Sequence, residues 1–297
     1  MIKDLPENVR RSVRRFSQHL KAPGSPVRHL RRIAYKALHP AEVRRRSQAG
    51  RQFSSELSPE LAATYGELER NGFVRFDAHA DPALLAELQA YYRETLIPRR
   101  EAVQGLKTHP FVFRLATPED LTTDNILVRF ALQDAAVKVA AAYLKTAPYL
   151  QSVNLWESRG IQQKKWEASQ LWHLDYHDSR ALFFWVYLTG VDDVGKGPFT
   201  YLPATSSRRV KNNFFPRRIR DEEVSESSLA ADVRQVFAPA LTCFLVDSTR
   251  CYHMGSRMSE GELRCVYIAQ FVDPIVGQNH IRTTAPLPPA KDLLIRR

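Results

Sequence analysis

Apolar and polar positions divide this chain at about residue 148. Before that point the apolar residues recur at helical spacing; beyond it they come in short runs separated by turn signals. Ser58-Pro59-Glu60 opens a helix, with serine as cap and proline at the first position, that runs to about Arg70 and stops at Asn71-Gly72. A strand follows at 73–76. Asp81-Pro82 opens a second helix through Leu84, Leu85, Leu88 and Tyr92, ending before Pro98. Residues 101–125 lack periodicity and read as loop-rich. An alanine-rich helix with Val137, Val139 and Leu144 spans about Gln133 to Lys145. From Tyr149 the runs YLQSVNLWES, SQLWHLD, ALFFWVYLTGV and PFTYLP, then 235–248 and 264–272, read as strands. That succession predicts a mainly β protein with flanking helices and a two-sheet jelly-roll core, the cupin-like double-stranded β-helix. A charged, strand-poor insert at 207–232 interrupts it. Its default reading is a surface loop, and a substrate lid is the alternative.

Two segments precede this body. Val9, Val13, Phe16 and Leu20 recur at helical spacing beside Arg10, Arg11, Arg14 and Arg15. After the break at APGSP, Val27, Leu30, Ile33, Ala34 and Leu38 repeat the stripe beside Arg28, Arg31, Arg32 and Lys36. Charge sharpens the picture. Residues 1–52 hold 14 Lys and Arg against 3 Asp and Glu, a balance of +11 that equals the whole chain's 43 minus 32. The remaining residues carry 29 of each sign, so the basicity belongs to the extension and not to the body. The expected division is therefore a basic amphipathic extension at 1–52, the jelly-roll domain at 53–275 and a proline-containing tail at 276–297.

Basic amphipathic helices of this kind either pack on the body with their arginines solvated, or meet an anionic membrane or a lipid-linked substrate. Nucleic acid is the weaker partner, because no recognition motif or aromatic-basic interleaving accompanies the charge. The longest apolar runs fall well short of the roughly 20 residues of a membrane span. The N-terminus lacks the apolar core of a secretory signal, and a mitochondrial presequence is a minor alternative. Cys243, Cys251 and Cys265 are odd in number and without C-x-x-C spacing, as expected of reduced thiols in a cytoplasmic protein, peripheral membrane contact being left open.

The candidate chemistry centres on QLWHLDYHD at 170–178. His173 and Asp175 stand two apart, so a strand would turn both to one face. One imidazole and one carboxylate are two-thirds of a 2-His-1-carboxylate set for a divalent metal. His253, after FLVDSTRCY, offers the third ligand, and eleven residues on Arg264 opens the run RCVYIAQF. H-x-D alone is common; H-x-D with the distal histidine and arginine is far more specific.

These residues resemble the phytanoyl-CoA dioxygenase-like branch of the iron(II)- and 2-oxoglutarate-dependent oxygenases. The pattern of that family stands here as His173-Leu174-Asp175, His253-Met254-Gly255 and Arg264. NGFVRF at 71–76 and GPFTYLPATS at 197–206 are similar to two further family segments. Ala204 replaces a usual glycine, and Ser206-Ser207 replace a usual Ser-His. The resemblance covers about residues 57–275. It implies Fe(II) held by His173, Asp175 and His253, with 2-oxoglutarate and O2 at the other positions and Arg264 forked onto the distal carboxylate. It also implies hydroxylation of a small-molecule substrate with release of succinate and CO2, and Asp175 argues against a halogenase variant.

Gln170, Trp185 and Tyr187, on strands expected to line the barrel, either touch 2-oxoglutarate or pack in the core. Ser256 and Arg257 are candidates to reach co-substrate or substrate. His177 is set aside as a ligand, and Asp178 with Arg180 forms a possible local ion pair. The basic extension inclines the substrate towards a lipid- or saccharide-linked molecule. An oxoacid-independent cupin-type metalloenzyme and a non-catalytic binding protein on the same scaffold are the alternatives, and Arg264 discriminates, since only an oxoacid needs it.

Overall fold

The structure, a computed structural model, describes residues 26–103, 107–163, 165–175, 180–210, 218–273 and 279–295. The first amphipathic segment, His177, Asp178 and residues 211–217 of the insert lie outside the described residues. Helix α1 spans Pro26–Leu38 and α2 spans Pro40–Ser55. Helix α3 (Pro59–Asn71) starts and stops on the expected signals: Ser58 Oγ accepts from the Leu61 N–H at 3.3 Å, and Gly72 closes it in the left-handed region, φ +73°. Strand β1 is Phe73–Arg75, and α4 (Pro82–Tyr91) is capped by Asp81, whose Oδ1 accepts from Ala83 and Leu84 N–H at 2.9 and 3.0 Å. The 101–125 region holds a short hairpin, β2 (Lys107–His109) and β3 (Val112–Arg114), too brief for its alternation to stand out in sequence.

Helix α5 (Ile126–Ala131) was not expected. It is buried on nearly every side, so it has no polar face to mark it. Helix α6 (Asp134–Leu144) then packs on α2 and α3. The α2 contact is tight. A Cβ on Gly50 would fall 2.4 Å from the Thr146 carbonyl carbon, and the buried Arg46 donates to Glu42 (3.0 Å) and to the Leu293 carbonyl (2.8 Å). The expected division at 52 therefore falls inside a helix docked on the body.

The remaining strands are β4 (Tyr149–Arg159), β5 (Ala181–Tyr187), β6 (Phe199–Tyr201), β7 (Arg234–Val236), β8 (Cys243–Val246), β9 (His253–Met254) and β10 (Leu263–Val272). They form two antiparallel sheets: seven strands in the order β1-β8-β5-β10-β4-β3-β2, and three in the order β7-β6-β9. Strand β5 is apolar throughout because both its faces are covered. Leu182, Phe184 and Val186 pack under the helices, while Phe183 and Tyr187 face the small sheet. The fold is a double-stranded β-helix with helices on the outer face of the large sheet.

Two expectations change here. SQLWHLD is not a regular strand: Ala168–Gln170 forms a tight 3-10 turn, and Trp172 and His173 make single bridges to Ile219 and His253. Its neighbours are two different segments, so no ladder can extend. The insert is not a simple surface loop either. Val210, Ile219, Val224 and Leu229 are buried against Trp172, Leu174, Leu202 and Tyr252, behind the strands that carry the candidate ligands. Its charge density, answered by pairs such as Arg209 with Asp232 and Arg257 with Asp221, hides this apolar side in the sequence. Among the described residues no helix is long and apolar enough to cross a membrane.

Candidate metal centre

The single bridge between His173 and His253 builds the site. Their backbones exchange hydrogen bonds, His173 N–H to His253 O at 3.0 Å and the reverse at 2.9 Å, which sets the rings 4.2 Å apart between centroids. Asp175 N–H donates to Ser248 O at 3.0 Å, and Ser248 Oγ donates to Asp175 Oδ2 at 2.5 Å. Each histidine then places Nδ1 on a carbonyl two residues back: Leu171 O at 2.7 Å and Cys251 O at 3.0 Å. A carbonyl only accepts, so both rings donate from Nδ1 and leave Nε2 as the atom turned towards Asp175. Burial first, and then the neighbouring His253, push the His173 ring down to about 4, which keeps it neutral at physiological pH.

The Nε2 atoms of His173 and His253 lie 3.8 Å from Asp175 Oδ1 and Oδ2 respectively. That is too long for hydrogen bonds, so the donors do not satisfy one another. The ligand atoms of all three residues fall within 4.8 Å of one another. Two imidazoles and a carboxylate on one side of a cavity, each oriented by an outer hydrogen bond, fit a divalent transition metal.

That cavity has a volume of about 370 Å³ and lies against the inner face of the large sheet. Alternation supplies its wall. From β10 come Arg264, Val266, Ile268 and Gln270, and beside them in register stand Ser158, Trp156, Asn154 and Ser152 of β4. Phe183 and Trp185 of β5 pair with Gln270 and Ile268 on the other side. Arg264 is 3% exposed; its Nη1 donates to the Gly197 carbonyl and its Nη2 to Ser256 Oγ at 2.8 Å. No carboxylate among the described residues pairs with it, its Nε has no partner, and burial lowers its pKa from the ordinary arginine value. Such a guanidinium is a ready anion site at one end of the metal cavity. Gly255 lies beside it, where a Cβ would meet Nη1 in ordinary contact at 3.4 Å.

The other expected site residues divide. Trp185 and Ser256 line the cavity, and Trp185 Nε1 is buried without a partner. Gln170 does not line it. Its Nε2 donates to Ser256 O at 2.9 Å and its Oε1 accepts from Glu167 N–H, so it holds the segment after His253 in place. Tyr187 is a core residue: its hydroxyl donates to Val236 O and accepts from Phe199 N–H, tying the two sheets together. Arg257 is turned away into a two-pronged pair with Asp221 at 2.7 and 2.8 Å. Arg180 pairs with Glu69 at 2.7 Å. Cys251 and Cys265, close to the site in sequence, are buried thiols raised by desolvation.

Three residues of the site's support were not foreseen: Ser248, Asp247 and Tyr143. Asp247 is fully buried. Its Oδ1 accepts from Thr249 N–H and Oγ at 2.9 and 2.6 Å, and its Oδ2 accepts from Tyr143 O–H at 2.5 Å. The Asp-x-Thr turn just before His253 was the available signal. Asp247→Ala is expected to cost about 2–3 kcal/mol, because it strands the Tyr143 hydroxyl and the turn's donors in a dry interior. The shift of the urea midpoint measures it.

No family model matches this sequence, and no curated protein matches it. Solved structures do. That of EctD from S. alaskensis with bound Fe superposes with a TM-score of 0.52 at 17% identity, covering 78% of this chain and 82% of that one. That of the non-heme alpha ketoglutarate dependent epimerase SnoN from nogalamycin biosynthesis gives 0.51 at 19% identity, covering 80% and 99%. At such identities the likeness is one of fold: this chain shares the double-stranded β-helix on which both of those proteins are built.

Proposed function

We propose that this chain is an iron(II)- and 2-oxoglutarate-dependent oxygenase, of the phytanoyl-CoA dioxygenase-like kind, that hydroxylates an uncharged, hydroxyl-bearing small molecule. The observation that carries this reading is Arg264: a desolvated guanidinium with no carboxylate partner among the described residues, in one cavity with a His-Asp-His donor set. An oxoacid-independent metal site has no need of it. The resemblance of the motifs and the iron and alpha ketoglutarate named for EctD and SnoN support the same reading.

His173, Asp175 and His253 would hold the iron, and Arg264 the distal carboxylate of 2-oxoglutarate. When bound, this pair supplies the oxidising chemistry, in which O2 is consumed, succinate and CO2 leave, and one oxygen enters a substrate C–H bond. The chain's own residues orient and dry the site. Leu171 and Cys251 carbonyls fix the tautomers of the two rings, Ser248 fixes the carboxylate, and Phe199 stacks on the His253 ring with centroids 5.4 Å apart. Ser256 is held between Ser158 Oγ, Gln170 and Arg264, so it presents the guanidinium in one orientation. Beyond the metal, Ser152, Asn154 and Gln270 offer neutral hydrogen-bonding groups beside Phe183, Trp156 and Trp185. That lining suits a polar ring stacked on an aromatic face, as in a saccharide, better than a charged substrate.

Anaerobic addition of 2-oxoglutarate to the iron(II)-loaded protein tests the reading. The expected result is a weak visible charge-transfer band that saturates at one equivalent. Protein shown to hold iron but giving no band would overturn it, and would leave the oxoacid-independent metalloenzyme or the binding protein.

A further inference from the structure

We infer that helix α1 is a docking surface for an anionic lipid bilayer. The helix has two unlike sides. Its inner side is tied to the body: Arg32 makes a 2.6 Å ion pair with Asp273, just past the end of β10, and Tyr35 is partly buried, with its ring 4.7 Å from that of His39. Its outer side is apolar and bare. Leu30, Ile33 and Leu38 are 64%, 58% and 75% exposed, and Ala34 and Ala37 between them are exposed as well. At 3.6 residues per turn these five positions form one continuous stripe. Such a stripe on a solvent-facing helix needs an explanation.

Charge selects the occupant. Arg31 and Lys36, both exposed, border the stripe on its two sides, where their stems would lie along the acyl boundary with the charges at headgroup level. Beneath the helix, Lys36 shares a cleft of about 250 Å³ with Lys145. Neither lysine has an acidic partner among the described residues. The whole net charge of the protein lies within residues 1–52. An apolar stripe bordered by cations matches lipid tails below anionic headgroups; a nucleic acid would leave Leu30, Ile33 and Leu38 with nothing to bury against, and a second copy of the chain would bring like charges together. The surface is built to deliver the body to a bilayer, with α1 anchored to α2 and to Asp273 rather than swinging free.

Co-sedimentation of the full chain with vesicles tests this. Phosphatidylcholine vesicles with about a third phosphatidylglycerol should pull the protein down, and high salt should weaken the binding without abolishing it. Pure phosphatidylcholine should bind less. Ile33→Glu with Leu38→Glu should reduce partitioning by roughly tenfold or more, with circular dichroism and thermal midpoint unchanged because both side chains already face solvent. Lys36→Glu with Lys145→Glu should weaken binding to the anionic vesicles and leave the weak neutral binding unaffected. The inference is overturned if wild type stays in the supernatant with anionic vesicles, or if the double Ile33, Leu38 variant binds as wild type does. It is also overturned if wild type is a dimer in solution that the same variant makes monomeric, which would put a second copy on the stripe. Vesicle binding needs neither metal nor 2-oxoglutarate, so its failure leaves the oxygenase reading intact, and the reverse.

Discussion

Arg264→Met should weaken 2-oxoglutarate binding by about a thousandfold, roughly 4 kcal/mol, while leaving the protein without ligand at least as stable as wild type. The two effects have opposite causes. In wild type the guanidinium is taken out of water at a cost of several kcal/mol and recovers only hydrogen bonds to the Gly197 carbonyl and to Ser256 Oγ, with its Nε unmatched. Methionine fills similar volume with no charge to desolvate, so the thermal midpoint should stay level or rise. The same change removes the forked donor that, among the described residues, the cavity offers a dicarboxylate. Arg264→Lys should fall between, losing roughly ten- to a hundredfold, because an ammonium offers the charge without the planar fork. Titration calorimetry of the metal-loaded protein and thermal melts of the metal-free protein read the two arms separately. A variant that is less stable and still binds 2-oxoglutarate normally would show that Arg264 is a structural residue, and the oxygenase reading would go with it.

Removing one ligand should have the larger effect on metal. His253→Ala is expected to lower iron(II) affinity by about three orders of magnitude or more, because a two-ligand remnant loses both a donor and the facial geometry. Its cost to the fold should be modest, about 1–2 kcal/mol, since the ring's Nδ1 makes one hydrogen bond, to the Cys251 carbonyl. Ser248→Ala separates ligand from support. It leaves all three donors and removes one hydrogen bond from the Asp175 carboxylate, so a loss of roughly ten- to a hundredfold is expected. Anaerobic competition against a chromophoric chelator measures both. Unchanged affinity in His253→Ala would remove this cluster as the metal site.

The elements most legible in the sequence were those whose signals are local. Ser58, Pro59 and Gly72 bound α3 because a cap, a fixed φ and a left-handed turn are decided within a few residues. The spacing of His173, Asp175, His253 and Arg264 pointed to the candidate site because a motif needs no knowledge of partner strands, although His173 lies on a single bridge and not on a regular strand. Other features were hidden for identifiable reasons. Helix α5 has no amphipathic period, α2 is charge-rich and docks through Gly50 and the buried Arg46 with Ala49 and Phe53 beside them, and the insert's apolar residues are diluted by its charges.

Gln170 and Tyr187 show where local pattern stops. Both were placed on barrel-lining strands, yet one buttresses Ser256 and the other ties the sheets together. Alternation tells which residues share a face, but it does not say which of those face a cavity and which face another side chain. By itself the sequence determined the mainly β architecture, the candidate ligand types and the confinement of net charge to the first 52 residues, because composition, periodicity and spacing are properties of the chain. Only the tertiary structure decided that the bridge between His173 and His253 brings the donors together. It also decided that Arg264 is desolvated with no carboxylate beside it among the described residues, and that one face of α1 is anchored while the other is exposed. Each of those depends on contacts between segments far apart in the chain, and long-range packing is what local signals do not encode.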